Sequence, residues 1–161
     1  MGAFRGVGFG KACSLTLYNL AQRIVSADYC AVRRVIRQEL ALRDGEAVID
    51  LGCGTGNLAG LFAPVRYVGV DLNPTFVAFA RRVTRRSFVV MDVTRLGFGE
   101  SAFDAALAVG LCHHLDHMAL EALVGQLRRV CKPGARILVI DITFPPRWNL
   151  VERARQRWGE Q

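Results

Sequence analysis

The feature that most constrains the fold of this chain is residues 48–56, where an apolar strand pattern runs into glycines at alternate positions. The stretch reads Val48-Ile49-Asp50-Leu51-Gly52-Cys53-Gly54-Thr55-Gly56. Because glycine has no Cβ, a ligand can lie directly against the backbone and a positive φ costs little. The pattern predicts a binding loop between a strand and a helix. The alternative is a plain tight connection between those two elements.

The spacing of this loop, G-x-G-x-G, differs from a dinucleotide-binding fingerprint. That fingerprint has its third Gly or Ala at position 57, where this chain has Asn57. The difference argues against NAD as the ligand. A nicotinamide-dependent oxidoreductase stays open as an alternative, motivated by the glycine loop and Asp71 alone.

Strand and helix patterns alternate along the rest of the chain. The apolar patterns predict strands at 47–51, 67–71, 87–91, 103–109 and 136–143. Helices are predicted at 57–63, from Pro74 to about Arg82 behind an Asn73 cap, and after Asp116 with Leu120, Leu123, Val124 and Leu127 as the apolar stripe. Two more helical stripes, at 17–24 and 29–40, precede the first strand. This alternation predicts an α/β fold with a doubly wound parallel sheet.

Acidic residues lie at the ends of the first three predicted strands: Asp50, Asp71 and Asp92. In a doubly wound sheet, ligands bind beyond the carboxyl ends of the strands. The Asp71 carboxylate is placed to accept two hydrogen bonds from a ribose diol, and Asp92 to reach an adenine amino group. A phosphate would be repelled by these carboxylates. The site is therefore predicted to bind a nucleoside without a pyrophosphate.

Five motifs together resemble, in order and spacing, those of class I S-adenosylmethionine-dependent methyltransferases. They are Val48 to Gly56, Val70-Asp71-Leu72, Met91-Asp92-Val93, Phe103-Asp104 with His113-His114-Leu115, and Leu127 to Gly134. The resemblance covers roughly residues 15–143 and looks closest to the small-molecule branch that includes quinone-biosynthesis methyltransferases. It implies S-adenosylmethionine as the cofactor and a methyl transfer to an oxygen or carbon of a small-molecule acceptor.

The resemblance also implies which residues bind the methionine end of the cofactor. Gly52, Cys53 and Gly54 of the glycine loop would pack against the methionine moiety. The backbone of Val109 and Gly110, after strand four, would lie near the amino-acid part, and the Asp50 carboxyl would support that end.

At the nucleoside end the resemblance implies four more residues. Asp71 would hold the ribose hydroxyls and Leu72 would lie on the adenine face. Asp92 and the backbone of Val93 would bind the adenine edge.

The resemblance implies no specific catalytic residue. A sulfonium methyl is already activated, so orientation and exclusion of water are the main tasks of the protein. Candidate bases are His113, His114, His117 and Tyr18. The same histidines with Asp116 form an alternative metal cluster. A structural loop role is the third interpretation, and we predict no metal site.

At 161 residues the chain is long enough for one domain with a hydrophobic core, so one domain is expected over 1–161. It would comprise a mobile tail (1–13), N-terminal helices (14–43), a cofactor-binding core (46–143) and a C-terminal basic segment (144–161). The implied Rossmann-like sheet has strand order 3-2-1-4-5, and the usual sixth and seventh strands are missing. The fifth strand would then be an edge, covered by a helix at 148–158 or paired with a second molecule as a homodimer.

Charge and composition limit the partners. The formal net charge is +7, but the basic residues form small groups near the C-terminal ends of three predicted helices, where cations favour the helix dipole. Solvated helix faces are therefore favoured over a nucleic-acid or acidic-substrate patch. Asp104 and Asp141 interrupt the longest apolar runs, which predicts no membrane span. Five cysteines without a C-x-x-C pair and the absence of a signal pattern predict a cytoplasmic protein.

The sequence leaves a third hypothesis beside methyl transfer and nicotinamide-dependent oxidation. The absence of the usual last strands motivates a non-catalytic nucleoside-binding module or a truncated methyltransferase fragment. The sequence alone does not separate this hypothesis from the enzyme.

Overall fold

A computed structural model of the chain describes residues 27–141. The predicted tail (1–13), the first helical stripe (17–24) and the basic segment (144–161) lie outside the described residues. The helices are α1 (Ala27–Leu40), α2 (Pro74–Val83) and α3 (His117–Val130). The strands are β1 (Ala47–Leu51), β2 (Arg66–Asp71), β3 (Ser87–Val90), β4 (Phe103–Val109) and β5 (Cys131–Ile140). Short 3₁₀ turns cover Ala59–Phe62 and Cys112–His114.

The five strands form one parallel sheet in the order β3-β2-β1-β4-β5. In the central strand, Ile49 is paired with Val68 of β2 on one side and with Ala106 of β4 on the other. The predicted doubly wound sheet and its strand order are confirmed. The glycine loop follows β1, so it lies where the strand order reverses, which is the usual ligand position in such sheets.

Strand β1 is buried along its whole length because helices cover both faces of the sheet. On one face Val48 belongs to a core with Ile36 of α1 and Val77 of α2. On the other face Ile49 belongs to a core with Leu123 of α3. This two-sided burial explains why the sequence of β1 is almost continuously apolar.

Side-chain caps fix where two helices begin. The Asn73 side chain accepts hydrogen bonds from the backbone N–H groups of Thr75 and Phe76, and Pro74 is the first helical residue. Asp116 accepts from the N–H of Ala119 at the start of α3. Both predicted caps are confirmed. The cap at Asn73 starts α2 three residues after β2 ends, which holds the end of β2 in place.

Strand β5 differs from the prediction in its start. It begins at Cys131 rather than 136, because Cys131 pairs with Phe103 before the register shifts and Arg136 pairs with Ala105. Along the edge, Ile137 and Val139 are each 50% exposed. Val124, predicted in the apolar stripe of α3, is also exposed, because the buried residues of α3 are Leu123, Leu127 and Val130.

Charged residues join the amino ends of the strands. Asp104 accepts a hydrogen bond from the Ala47 N–H at 2.8 Å and pairs with Lys132 at 2.6 Å. The Arg136 guanidinium pairs with Glu46. These contacts connect β1, β4 and β5 at their amino ends, on the opposite side of the sheet from the glycine loop.

Arginines from the basic groups bind backbone carbonyls within the fold, and Arg81 and Arg129 are examples. The Arg81 guanidinium donates to the Phe88 carbonyl, and the Arg129 guanidinium donates to the carbonyls of Leu96 and Phe98. Part of the positive charge therefore serves to hold loops against helices. Within residues 27–141 there is no helix of the length and apolarity that a bilayer crossing requires.

Candidate functional site

The glycines of the loop after β1 have different surroundings. A Cβ on Gly52 would lie 3.0 Å from the Leu111 side chain, and one on Gly56 would lie 2.8 Å from the Phe88 ring. Close packing and a positive φ, +68° at Gly52 and +78° at Gly56, both favour glycine at these positions. Gly54 has a φ of +53° and nothing within 4 Å of its Cβ position. Gly54 is therefore the loop position where backbone faces open space that a ligand can occupy.

The end of β2 is joined directly to this loop by Asp71. Its Oδ2 accepts a hydrogen bond from the Gly54 N–H, and its Oδ1 accepts one from the Asn73 N–H, both at 2.8 Å. Each oxygen of a carboxylate has two acceptor sites, so each retains one for a ligand hydroxyl. The neighbouring Leu72 side chain is 63% exposed. A carboxylate held by backbone beside an exposed apolar side chain suits a ribose with its attached base.

Asp92 extends the same edge beyond β3. Its Oδ1 accepts from both the backbone N–H and the hydroxyl of Thr94 at 2.8 Å, a local turn that fixes the side chain. Asp92 is exposed and leaves Oδ2 for a donor from outside. The side chain of Val93 is buried in the core beneath the sheet. A ligand at this point could therefore contact Val93 through its backbone and not through its side chain.

Asp50 lies in a different environment from Asp71 and Asp92. It is 2% exposed, and its Oδ2 accepts a hydrogen bond from the Tyr67 hydroxyl at 2.6 Å. Burial raises the pKa of the Asp50 carboxyl to about 7; the Tyr67 hydrogen bond lowers this pKa and the nearby negative charge of Asp71 raises it. Asp50 is thus an internal carboxyl below the loop, close enough to respond to charge at the site.

Cys53 contributes backbone rather than a thiol to the loop. Its N–H donates to the Val70 carbonyl at 3.0 Å, which fastens the loop to β2. The side chain packs against the core, and a Cβ on Gly69 would lie 2.8 Å from its sulfur. Burial raises the pKa of the Cys53 thiol, with the charges of Asp50 and Asp71 adding to the effect. A neutral, packed thiol of this kind is not a nucleophile.

The loop after β4 closes the other side of the site. The Gly110 N–H donates to the Ile140 carbonyl at 2.8 Å, so the backbone after Val109 is fixed against β5. Leu111 then packs on Gly52, as its 3.0 Å approach to the Cβ position shows. The backbone at Val109 and Gly110 is brought beside the glycine loop by this contact.

Of the three histidines predicted as candidate bases, the structure keeps His113 and His114 together and places His117 apart from them. The His113 Nδ1 lies 2.6 Å from Asp141 Oδ1, and the His113 ring lies against that of His114 with centroids 3.9 Å apart. His117 instead pairs with Glu121 on the exposed face of α3. Tyr18 lies outside the described residues. Over 27–141 no group of three or more His, Cys, Asp or Glu side chains is arranged to hold a metal ion.

Several contacts of the site were not predicted from the sequence. These are the bond from Tyr67 to Asp50, the packing of Leu111 on Gly52, and the pairing of His113 with Asp141. The sequence did carry a signal for one supporting residue. Gly69 interrupts the apolar run of β2, and a Cβ there would lie 2.6 Å from the Phe88 ring. An unexplained glycine inside a buried strand indicates such close packing.

Comparison with known proteins begins with a family match. Residues 48–134 match the model of a family described as a methyltransferase domain. The match runs from β1 to the start of β5. It therefore includes the ten candidate cofactor-binding residues between Asp50 and Gly110.

Two curated relatives share more of the chain. A demethylmenaquinone methyltransferase from Thermus thermophilus is 35% identical over 143 residues, which cover 81% of this chain and 63% of the relative. A fatty-acid O-methyltransferase from Mycolicibacterium smegmatis is 33% identical over 119 residues, which cover 70% of this chain and 42% of the relative. The chain thus spans less than two thirds of the length of both relatives.

Solved structures share the fold. The [4+2]-cyclase SpnF matches with a TM-score of 0.61 and 26% identity, over 68% of this chain and 43% of that chain. Its name describes a cyclisation. The same architecture therefore occurs in proteins named for different reactions, and the reaction of this chain has to be argued from its site.

Proposed function

Because this chain belongs to the methyltransferase domain family, we propose that it transfers the methyl group of S-adenosylmethionine to an oxygen or carbon atom of a small-molecule acceptor. Family membership confirms the resemblance found in the sequence and the choice of S-adenosylmethionine as cofactor. The activity and the acceptor remain proposals, since the chain spans 63% and 42% of the two relatives.

The observation that carries this proposal is the bond between Asp71 and the Gly54 N–H. It joins the carboxylate expected at the ribose to the loop expected at the methionine moiety, at 2.8 Å. One ligand that spans both would have a ribose at the end of β2 and, over the glycine loop, a linkage without the negative charge of a pyrophosphate. S-adenosylmethionine has this arrangement, and NAD does not.

The proposal extends to the residue roles that the resemblance implies. Asp71 would bind the ribose hydroxyls, Leu72 would cover the adenine face, and Asp92 with the Val93 backbone would bind the adenine edge. The loop residues Gly52, Cys53 and Gly54 would lie along the methionine moiety. The Val109 and Gly110 backbone would bound its amino-acid part, and Asp50 would support that end from below.

The methyl group that the cofactor supplies is bonded to a sulfonium sulfur and needs no further activation. The residues of the chain would therefore act mainly by orienting the cofactor and excluding water. Packing of Leu111 on Gly52 supports this role, because it closes the loop on the side toward β4.

The two relatives suggest different acceptors. One name specifies a quinone and the other a fatty acid whose oxygen is methylated. We favour a fused-ring quinol, since the Thermus relative shares more of this chain. A fatty acid is the second candidate.

Calorimetry with S-adenosylhomocysteine, the stable product of methyl transfer, tests the cofactor. We expect saturable binding of S-adenosylhomocysteine and none of NAD. A protein that bound NAD and not S-adenosylhomocysteine would contradict the proposal and favour the oxidoreductase alternative.

Transfer is tested with isotope-labelled S-adenosylmethionine and two probes, 1,4-dihydroxynaphthalene and myristic acid. Labelled product from either probe supports a transferase, and its position separates transfer to oxygen from transfer to carbon. Binding of S-adenosylhomocysteine without transfer to either probe would favour the non-catalytic module.

Four other expectations remain predictions. The fifth-strand edge is proposed to pair two molecules, supported by the half-exposed Ile137 and Val139 on β5. Light scattering over a concentration series tests this, and a monomer at high concentration would contradict it. A cytoplasmic location and a single domain over 1–161 likewise stay predictions, as does the absence of a nucleic-acid partner.

A further inference from the structure

A histidine and a carboxylate meet where β4 and β5 end. The Asp141 Oδ1 lies 2.6 Å from His113 Nδ1, and Asp141 Oδ2 accepts a hydrogen bond from the His113 backbone N–H at 3.1 Å. The carboxylate therefore holds both the ring and the backbone of the same residue. Such a two-point contact fixes the side-chain rotamer and the direction of the ring.

The contact also fixes which ring nitrogen is available. A carboxylate can only accept hydrogen bonds, so the nitrogen facing it, Nδ1, carries a hydrogen. In the neutral imidazole the other nitrogen, Nε2, is then a proton acceptor. The His113 side chain is 29% exposed and the Asp141 side chain 18%. A small molecule can therefore reach the ring, while the bond behind it is largely shielded.

The position of this pair relates it to the cofactor loop. His113 follows Gly110 and Leu111, and Leu111 packs on Gly52. The His113 Cε1 would lie 3.8 Å from a Cβ on Gly110. The ring is thus on the segment that bounds the methionine end of the proposed cofactor site, where the methyl group is transferred.

The other two histidines lack this arrangement. No described carboxylate is hydrogen-bonded to His114, whose ring lies against that of His113. His117 is 86% exposed and contacts Glu121 one helical turn away on α3. Neither is both oriented by a carboxylate and placed on the segment beside the glycine loop.

We propose that His113 is the general base that deprotonates a hydroxyl of the acceptor, and that Asp141 positions it; this rests on the proposed methyl transfer. The acceptor O–H bond breaks and its proton moves to Nε2. The oxygen electron pair forms the bond to the methyl carbon, and the electrons of the methyl–sulfur bond remain on sulfur. The imidazolium then returns the proton to solvent.

The test uses 1-naphthol as the acceptor probe and compares three variants. A general base typically contributes about 10²- to 10⁴-fold, so we expect His113→Gln to lower kcat by about 100-fold or more. KM and the affinity for S-adenosylhomocysteine should stay within about twofold, because the base acts in the transition state. His117→Gln is the matched control and should retain kcat.

The Asp141→Asn variant tests separately whether Asp141 sets the tautomer of His113. An amide can donate to Nδ1, which moves the ring hydrogen to Nε2 and removes the acceptor there. NMR of ¹⁵N-labelled imidazoles should show the Nδ1–H form at His113 in the parent protein and a shift toward Nε2–H in Asp141→Asn. The kcat of this variant should fall by about tenfold or more, as expected for loss of the productive tautomer.

Two results would overturn the proposal: an Nε2–H tautomer at His113 in the parent protein, or a kcat of His113→Gln within about threefold of the parent. If the parent protein binds S-adenosylhomocysteine but does not methylate 1-naphthol, the proposed transfer to hydroxyls fails by itself. The pair is then judged by titrating 1-naphthol into the complex. Movement of the His113 ring signals supports an acceptor subsite, and unchanged signals reject it.

Discussion

The amino ends of the strands form one side of the sheet, here called the amino edge, and their carboxyl ends form the other, the carboxyl edge. In the part of the chain that the structure describes, Asp104 and Glu46 are ion-paired at the amino edge, whereas Asp71 and Asp92 are not ion-paired at the carboxyl edge. At the amino edge, Asp104 pairs with Lys132 and Glu46 pairs with Arg136. At the carboxyl edge, Asp71 accepts from the N–H groups of Gly54 and Asn73, and Asp92 accepts from the N–H and hydroxyl of Thr94. Among residues 27–141 no Lys or Arg forms an ion pair with either of these carboxylates. Negative charge is therefore compensated at one edge and left uncompensated at the other.

This difference indicates what each edge is for. The ion pairs at the amino edge join residues from different parts of the sheet and need no ligand. Carboxylates fixed by backbone, with acceptor sites remaining, are suited to a ligand that brings hydrogen-bond donors and positive charge. S-adenosylmethionine brings both, through its ribose hydroxyls, its amino groups and its sulfonium.

The largest expected effect is that of Asp71→Ala on the carboxyl edge. Loss of two hydrogen bonds from the ribose to a charged group, at about 1.5 to 3 kcal/mol each, should weaken S-adenosylhomocysteine binding by about 100-fold or more. Calorimetry measures this. Asp104→Ala is the matched control, because it removes a carboxylate that also accepts a backbone N–H, and its affinity should not change. Equal affinity of the Asp71 variant and the parent would refute the ribose assignment.

Asp50 is expected to make stability fall as pH rises. Its pKa in the folded protein is about 7, against 3.8 when unperturbed, so the folded state binds more protons between these values. The free energy of unfolding should therefore fall by about 4 kcal/mol across that window through this group. Asp50→Asn keeps an acceptor for Tyr67 and removes the titration.

Urea unfolding of the parent and Asp50→Asn at pH 4.5 and pH 8 isolates this contribution. The variant should gain stability relative to the parent as pH rises, because the parent alone must ionise a buried carboxyl. A difference between the two proteins that does not vary with pH would show that Asp50 titrates normally. Asp104 should act with the opposite sign, since hydrogen bonds from Lys132 and the Ala47 N–H lower its pKa.

Gly54→Val probes the open face of the glycine loop and should have a smaller effect. A β-branched residue at a φ of +53° is strained by about 1 to 3 kcal/mol, and its methyl groups would occupy the space given to the methionine moiety. We expect affinity for S-adenosylhomocysteine to fall by about tenfold or more. Gly60→Val is a control, since Gly60 also has nothing within 4 Å of its Cβ position but lies beyond the loop. Unchanged affinity in Gly54→Val would move the methionine moiety elsewhere.

The smallest effect is expected at the amino edge. Lys132→Met removes the partner of Asp104 from a pair whose lysine is 43% exposed. Exposed pairs contribute about 0 to 1 kcal/mol, so the free energy of unfolding should fall by no more than that. Denaturant unfolding and calorimetry together should show a slight loss of stability with full cofactor affinity. A large loss of affinity would mean that the two edges are coupled.

Much of the fold could be predicted because its signals are local. The bounds of β1 and β4 follow from their apolar runs. Asn73 and Asp116 predict where the helices that they cap begin. The start of β5 was wrong because it depends on pairing between Cys131 and Phe103, which is a tertiary contact. Val124 was placed on the buried stripe because periodicity gives the face of a helix and not how far the neighbouring layer extends.

The candidate site also has features that local sequence predicts and contacts that it does not predict. The position of Asp71 and Asp92 could be predicted because a parallel sheet gathers the carboxyl ends of its strands on one side. The contacts of Tyr67 with Asp50 and of His113 with Asp141 join residues 17 and 28 positions apart. No spacing rule predicts them, because they depend on how side chains from different strands are directed after the sheet has formed.

Gly69 has a consequence for how this sequence can diverge. A single added methyl group at this position would lie within 3 Å of both the Phe88 ring and the Cys53 sulfur. Alanine there becomes acceptable only after both neighbours have changed, so the three positions should vary together among descendants of this chain or not at all. A strand residue with no side chain thereby limits the evolutionary freedom of the cofactor loop and of β3 at once.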